Sequence, residues 1–400
     1  MILGPISYLD CIVFCVFLAP QLLIHVGLFE TVGVALQCLP FLLLKLPYEF
    51  IRERFFADPS KQSPFVQVAS PFEDFVIRCV RYAFANVPPK VGRVFFSKPV
   101  ALPFLRFRML RHGFLRKPVH WREHVDKRFK GIWVTKDPTK KPDVCIYYAH
   151  GGGFSMGSSY FYLEFLLAWL TLLGDSGFSN PAVFALEYTL VPDDTFPKQM
   201  HEAIAGYDHV VSMVGDASKI CVSGDSAGAT VLLSLLLHIA DRGCDREKMD
   251  ESSAWKLPKP GMAAFISPWV TLVSNRRKNT ASDYLDAGSL HQYAREYVGK
   301  QSRADDPLIS PGNCRDLSWW KRACPAGGMF FAYGAEEVFA PEIENLLKFL
   351  EKNKIHVASR EEPGGIHAWP VAALFLASST EDRQRGLRSI VRYVKDNIPS

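Results

Sequence analysis

Residues 224–228 read Gly-Asp-Ser-Ala-Gly, and 74 positions earlier (224 − 150) the chain reads His150-Gly151-Gly152-Gly153-Phe154. The first pattern, G-x-S-x-G, suits a serine carried on a sharp turn between a strand and a helix, where Gly224 and Gly228 leave room that a Cβ would fill. The second suits acyl transfer, because glycine N–H groups can approach a developing oxyanion with no side chain between. Ser226 is therefore the candidate nucleophile, and the loop Gly151, Gly152 and Gly153 the candidate oxyanion hole. Either motif alone is weak, since an incidental glycine-rich turn gives the same letters.

The surrounding elements strengthen the pair. Pro142–Tyr148 is a short apolar run that reads as a buried strand delivering the chain into His150, and Lys219–Ser223 is another that ends at Gly224. After Gly228 the stretch Ala229–Ile239 is almost continuously apolar and helix-compatible. Strand, serine and helix thus come in the order that the turn demands.

A serine hydroxyl needs a general base, and the base needs an orienting carboxylate. The histidines after Ser226 are His238, His291, His356 and His367. His238 falls inside the helix after the turn, His291 in a charged segment, and His356 in the strand-like Ile355–Ser359. His367 lies in the turn-rich loop Pro363–Pro370 after that strand, where catalytic side chains are usually carried. The apolar run Gly328–Tyr333 leads into Gly334-Ala335-Glu336-Glu337, and either glutamate could accept the imidazole N–H. Glu337, thirty residues before His367 (367 − 337), is preferred, with Glu336 as its solvated neighbour. A reading of both as N-terminal charges of a helix over Pro341–Lys352 stays open.

These residues resemble the hormone-sensitive-lipase-like branch of the α/β-hydrolases and, within it, the fungal steryl acetyl hydrolase group. The resemblance covers about residues 125–398 and rests on HGGGF, GDSAG, Glu187–Pro192 with Phe196-Pro197, Asp306–Pro311 and His367-Ala368-Trp369. HGGG with GDSAG is specific for the branch; the membrane-like N-terminus and a glutamate where most members carry aspartate point to the steryl group. The resemblance implies Ser226 as nucleophile, His367 as base and Glu337 as acid, with the N–H groups of Gly152, Gly153 and Ala227 as the oxyanion hole and Gly151 shaping its turn. It also implies that His150 braces the loop and Asp225 holds the serine turn from the side. One departure is Tyr188-Thr189-Leu190-Val191-Pro192 in place of Tyr-Arg-Leu-Ala-Pro, which removes an arginine support but not the chemistry. The implied reaction is ester hydrolysis through an acyl-enzyme, on a short acyl group carried by a large apolar alcohol such as a sterol. Ester cleavage in polyketide or terpenoid metabolism, and a non-catalytic ligand-binding protein on the same fold, are the alternatives. HExxH, CxxC and GxGxxG are absent, so neither metal nor cofactor is expected.

The N-terminus carries a second message. Cys11–Phe29 is 19 residues without Asp, Glu, Lys or Arg, which as a helix at about 1.5 Å per residue would just span a hydrocarbon layer of about 30 Å. Thr31–Leu44 adds 14 more uncharged residues. No lysine or arginine precedes residue 45 and no small-x-small cleavage site follows the run, so the reading is a membrane anchor rather than a cleaved leader, one span or a hairpin, with Pro20 marking a kink or the break. Lys45, Arg52 and Arg54 would keep a single-span domain in the cytosol, whereas the resemblance suggests the endoplasmic reticulum membrane with the domain facing the lumen, and the two arguments leave the sidedness open.

Composition fits this division. A 48% hydrophobic content and a net charge of +5 over 400 residues leave a soluble remainder and no nucleic-acid footprint; the expected partners are an apolar ester and membrane lipid. Arg106, Arg108, Arg111, Arg116 and Lys117, interleaved with Phe104, Phe107 and Phe114, could touch anionic headgroups or form a solvated helix face. Nine cysteines at irregular spacing give no disulfide framework; Cys145 and Cys221 read as buried strand residues, and Cys314 and Cys324 could pair in an oxidising compartment. The expected organisation is an anchor over 1–46, a helical cap or linker over 47–124, and an α/β-hydrolase domain over 125–400. In the last, strand-like and helix-like runs alternate as a mostly parallel sheet with helices on both faces requires. Trp269–Asp306 breaks that rhythm and reads as a cap insertion over the pocket.

Overall fold

A computed structural model describes residues 1–115, 120–241 and 257–399; Arg116 and Lys117 of the basic stretch lie outside the described residues. Eight strands form one sheet: β1 (His120–Val125), β2 (Lys130–Thr135), β3 (Val144–Ala149), β4 (Pro181–Leu186), β5 (Ile220–Asp225), β6 (Met262–Ile266), β7 (Met329–Gly334) and β8 (Val357–Glu362). Their spatial order is β1-β2-β4-β3-β5-β6-β7-β8. β2 runs antiparallel to both its neighbours, and from β4 to β8 every pairing is parallel. This is the α/β-hydrolase architecture that the alternation of runs implies.

Alternate residues of the central strands enter two different cores. In β3, Val144, Ile146 and Tyr148 join one hydrophobic cluster, and Cys145, Tyr147 and Ala149 the other. A strand buried on both faces has no polar side to show, which is why these segments read as continuous apolar runs. Helices Leu163–Asp175 and Thr380–Asn397 cover the first face; Lys198–Val214, Ser226–Ala240 and Ala340–Lys352 cover the second. Cys145 and Cys221 are buried strand residues. Cys314 and Cys324 are both free thiols: the Sγ of Cys314 faces the Asp316 carbonyl and that of Cys324 the His356 carbonyl.

Further helices roof the C-terminal ends of the strands. Among them Tyr8–His25, Pro71–Asn86, Pro89–Phe95 and Lys98–Arg111, together with the Trp269–Asp306 insertion and its helix Ala287–Val298, supply the walls of a cavity there, and Leu28–Phe56 packs outside them on Tyr8–His25 and Pro71–Asn86. Helix Tyr8–His25 begins in a capping box in which Ser7 and Asp10 satisfy each other's backbone N–H. It runs through Pro20 without breaking; the turn comes at Gly27, whose φ of +95° suits glycine. The first helix does not stand apart from the hydrolase domain. Buried Asp10 pairs with Arg108 at 3.2 Å and with Arg111, and Arg108 pairs in turn with Glu164 at 2.7 Å. Ahead of it, Met1 and Leu3 are buried in the sheet's first core, and Arg383 donates to the Leu3 carbonyl at 2.7 Å.

Candidate active site

The C-terminal end of β5 delivers Ser226 into a turn with φ of +51° at the first residue of helix Ser226–Ala240. A Cβ on Gly224 would lie 2.6 Å from the Ala149 carbonyl oxygen, and one on Gly228 only 2.1 Å from the same atom. Both glycines are therefore required by the close pass of β3 over the turn. Phe154, Ser267 and Ala368, which are also not glycine, have positive φ as well. Held backbone strain of this kind gathers at sites whose geometry is fixed by their surroundings.

The HGGG loop lies against this turn through Asp225. Its Oδ1 accepts from the Tyr148 hydroxyl at 2.6 Å and from Gly151 N at 2.8 Å, and its Oδ2 accepts from the Tyr162 hydroxyl at 2.6 Å. Asp225 thus ties the serine turn to the glycine loop, as the expected side support. The amide of Gly151 is spent on that bond, which removes it from the oxyanion donors. The loop amides left to face a ligand are those of Gly152 and Gly153, alongside Ala227 N in the unpaired first turn of the helix. A Cβ at Gly152 would lie 2.1 Å from the Met156 carbonyl oxygen, and the φ of Gly152 is +115°. His150 is fully buried, stacks on Tyr188 at 4.5 Å, and turns Nδ1 to the Gly151 carbonyl at 2.8 Å. Burial pulls its pKa down to about 4, so it stays neutral.

Across the cavity, the loops after β7 and β8 bring Glu337 and His367 together. Glu337 Oε2 lies 3.7 Å from His367 Nδ1, with both side chains buried. Neither Glu337 Oε1 nor His367 Nδ1 has a hydrogen-bond partner, so the carboxylate and the ring nitrogen are left facing each other across this gap. Ser267 donates its hydroxyl to Glu337 Oε2 at 2.5 Å and accepts Ala368 N at 2.9 Å. Burial pushes Glu337 up to about 8 against the pull of the Ser267 and Gly334 donors. It likewise lowers His367, against the nearby Asp283 and Asp225. Glu336 faces elsewhere: its carboxylate accepts from Ser282 at 3.3 Å. The structure therefore separates the two adjacent glutamates that the sequence leaves paired.

One participant escapes sequence reasoning. Asp283, buried in the cap insertion, accepts His367 N at 3.0 Å through Oδ1 and Val338 N at 2.8 Å through Oδ2. The segment is itself gripped by Arg81 of helix Pro71–Asn86, which donates to the carbonyls of Ala281, Ser282 and Asp283 at 2.7–2.8 Å. A carboxylate in a charged, irregular stretch carries no signal of this; Ser267, one residue past the end of β6, could have been flagged by the strand-end rule. The site expected to lack an arginine support has another: Arg93 donates to the carbonyls of Ser155 and Val191 and pairs with Asp193 at 2.9 Å.

Ser226, His367 and Gly151–Gly153 line one cavity of about 410 Å³ whose other walls are mainly aromatic and aliphatic, among them Phe84, Phe96, Tyr284 and Phe375. A family model described as alpha/beta hydrolase fold matches residues 146–371, and the chain belongs to that family, in its hormone-sensitive-lipase-like branch. By class it is a hydrolase of the carboxylesterase and lipase group. The chain is 28% identical over 242 residues to an acetyl-hydrolase of Streptomyces hygroscopicus, covering 59% of this chain and 71% of that one. It is 25% identical over 279 residues to steryl acetyl hydrolase 1 of Saccharomyces cerevisiae, covering 65% of this chain and 60% of the yeast protein. A crystal structure of a hormone-sensitive lipase from a metagenome library shares the fold, with a TM-score of 0.59 at 21% identity over 82% of this chain and 98% of that one.

Proposed function

We propose that the protein is a serine esterase that removes a short acyl group, acetyl above all, from a large apolar alcohol. The observation that carries this reading is the convergence of Ser226, His367 and the Gly152 and Gly153 amides on one largely apolar cavity. In this reading Ser226 Oγ attacks the ester carbonyl while His367 takes its proton, and the oxyanion rests on the amides of Gly152, Gly153 and Ala227. The C–O bond to the alcohol then breaks, and His367 gives the proton to the departing oxygen. Water repeats the sequence on the acyl-enzyme, releasing the acid and restoring Ser226. Glu337 in its carboxylate form steadies the imidazolium that forms twice in each cycle, a form that burial defers to about pH 8 and that the developing imidazolium itself favours.

The likeness to acetyl-hydrolases and to a steryl acetyl hydrolase supports acetate as the acyl group and a sterol as the lead alcohol. The two N-terminal helices, Tyr8–His25 and Leu28–Phe56, are long and apolar enough to cross a bilayer by length and composition; they support a membrane location, for which the endoplasmic reticulum is the lead. The test is fluorophosphonate labelling of the detergent-solubilised wild type and of Ser226→Ala, with turnover of short-chain aryl esters alongside. Labelling and turnover that vanish together in the variant support a serine esterase. A folded wild type that shows neither would move the weight to ligand binding without chemistry.

A further inference from the structure

Each N-terminal helix has one face seated on the protein and one face bare. On the inner side of helix Tyr8–His25, Asp10 is held by Arg108 and Arg111, and Phe14 packs between Phe95 and Phe104 at 4.5 and 5.0 Å. Helix Leu28–Phe56 is fastened along its length: Lys90 pairs with Glu30 at 2.8 Å, Phe41 stacks on Tyr82 at 4.0 Å, and Arg54 and Glu53 pair with Asp74 and Arg78 at 3.6 and 3.0 Å. The opposite faces present Ile12, Val16 and Ile24 on the first helix and Phe29, Leu43, Leu44 and Phe56 on the second, all exposed, with Phe29 at 92% and Phe56 at 80%. A helix crossing a bilayer alone is bare on every side; these two are pinned at several points to helices that carry buried ion pairs, while most of their surface stays outside the protein interior.

The inner face does more than dock. Ile6, Cys11, Phe14 and Cys15 line the cavity that holds Ser226 and His367, and Cys15 is itself exposed. The cavity therefore opens beside the same helix that shows its apolar outer face, with no Asp, Glu, Lys or Arg from residue 11 to residue 29. Apart from Glu30 and the Lys45–Arg54 end of the second helix, the outer faces are apolar, and such faces carried by helices pinned to the rest of the protein match in-plane burial with the charged groups at headgroup level.

We propose that helices Tyr8–His25 and Leu28–Phe56 lie in the plane of a membrane surface rather than cross it, and that the cavity mouth beside Cys15 opens into the lipid, so that the ester is loaded from the bilayer. The second half rests on the esterase reading above. The test uses the full chain with phosphatidylcholine vesicles and the variant Phe29→Lys/Leu43→Lys/Leu44→Lys, whose positions touch neither Ser226 nor His367. Two esters are compared, a water-soluble aryl acetate and hexadecyl acetate dissolved in the vesicles. The expected result is aryl acetate turnover within about twofold of wild type, with vesicle flotation and hexadecyl acetate turnover both reduced at least tenfold. Undiminished flotation or undiminished hexadecyl acetate turnover in the variant overturns the proposal, as does a wild type that forms a detergent-free dimer and does not float.

A second measurement does not depend on that variant folding. In His25→Cys, at the exposed end of the first helix, a membrane-impermeant maleimide added outside vesicles should label position 25 above the native thiols. Labelling only after detergent would mean that the helices cross the bilayer. Failure of the esterase reading shows separately, as absent aryl acetate turnover and absent fluorophosphonate labelling in wild type, while flotation and position 25 still report on the platform.

Discussion

Asp283 Oδ1 accepts the backbone N–H of His367 at 3.0 Å, so a carboxylate from the cap insertion fixes the loop that carries the candidate base. Its second oxygen takes Val338 N, one residue beyond Glu337. One side chain therefore sets the separation of the two loops. Asp283→Asn keeps one acceptor and turns an N–H toward the other donor, and should lower kcat by about 10–100-fold with little change in KM, since a misplacement of about 1 Å costs on that order. Steady-state kinetics on an aryl acetate checks this; a rise in KM at unchanged kcat would place Asp283 in binding instead.

The neighbouring glutamates should behave differently. Glu337→Gln should reduce kcat by about 10²–10⁴-fold, whereas Glu336→Gln, whose carboxylate meets Ser282 at 3.3 Å and not His367, should stay within about threefold. Equal losses from both, at equal melting temperature, would contradict the assignment of Glu337.

Burial raises Glu337 from 4.5 to about 8, and the direction fixes the sign of a stability effect. Across that window the folded state holds a proton that the unfolded chain has released, so this group's contribution falls as pH rises from 4.5 to 8. Glu337→Gln removes the titration. Thermal melting should find the variant more stable than wild type at pH 8, with the gap closing near pH 4.5. Stability gained together with turnover lost marks a group retained for chemistry rather than for folding.

Gly151 offers a steric test. A Cβ there would stand 2.2 Å from Asp225 Oδ2, pushing the glycine loop and serine turn apart, and Gly151→Ala should cost about 100-fold in kcat. Gly174→Ala is the control: nothing lies within 4 Å of its added Cβ, and inside a helix the change should stabilise by about 0.5–1 kcal/mol.

The buried cluster of Asp10, Arg108 and Glu164 should tolerate no single loss. Arg108→Met leaves buried Glu164 without its cation and Asp10 with Arg111 alone, and should destabilise by about 3–5 kcal/mol. Adding Asp10→Asn and Glu164→Gln should restore much of it, because the uncompensated charge is then gone. Urea unfolding in detergent measures both.

Much of this molecule was legible from residue order. Buried parallel strands announce themselves as apolar runs, and the serine turn by glycines that have no alternative. What stayed hidden has physical causes. β1 reads His-Trp-Arg-Glu-His-Val, an exposed edge strand whose charges look like loop, so the sheet begins at His120 within a region read as helical linker. Asp283 acts through backbone amides more than 50 positions away, which leaves no local spacing to read. The first helix is apolar on both faces, one for the cavity and one for its surroundings, and hydropathy cannot say that the two differ.

The placement of Ile6, Cys11, Phe14 and Cys15 in the cavity wall bears on how such proteins are handled and how they diverge. Trimming this apolar stretch to ease handling would here remove four side chains from the chamber wall, and with them one side of whatever contact the chamber makes. By the same logic, a handful of changes in the first fifteen residues reshapes the chamber without touching any loop that carries Ser226, Glu337 or His367. The wall is shared between this N-terminal stretch and residues beside the site such as Tyr284 and Ala368, so the N-terminal part of it can change while the loops that carry Ser226, Glu337 and His367 stand.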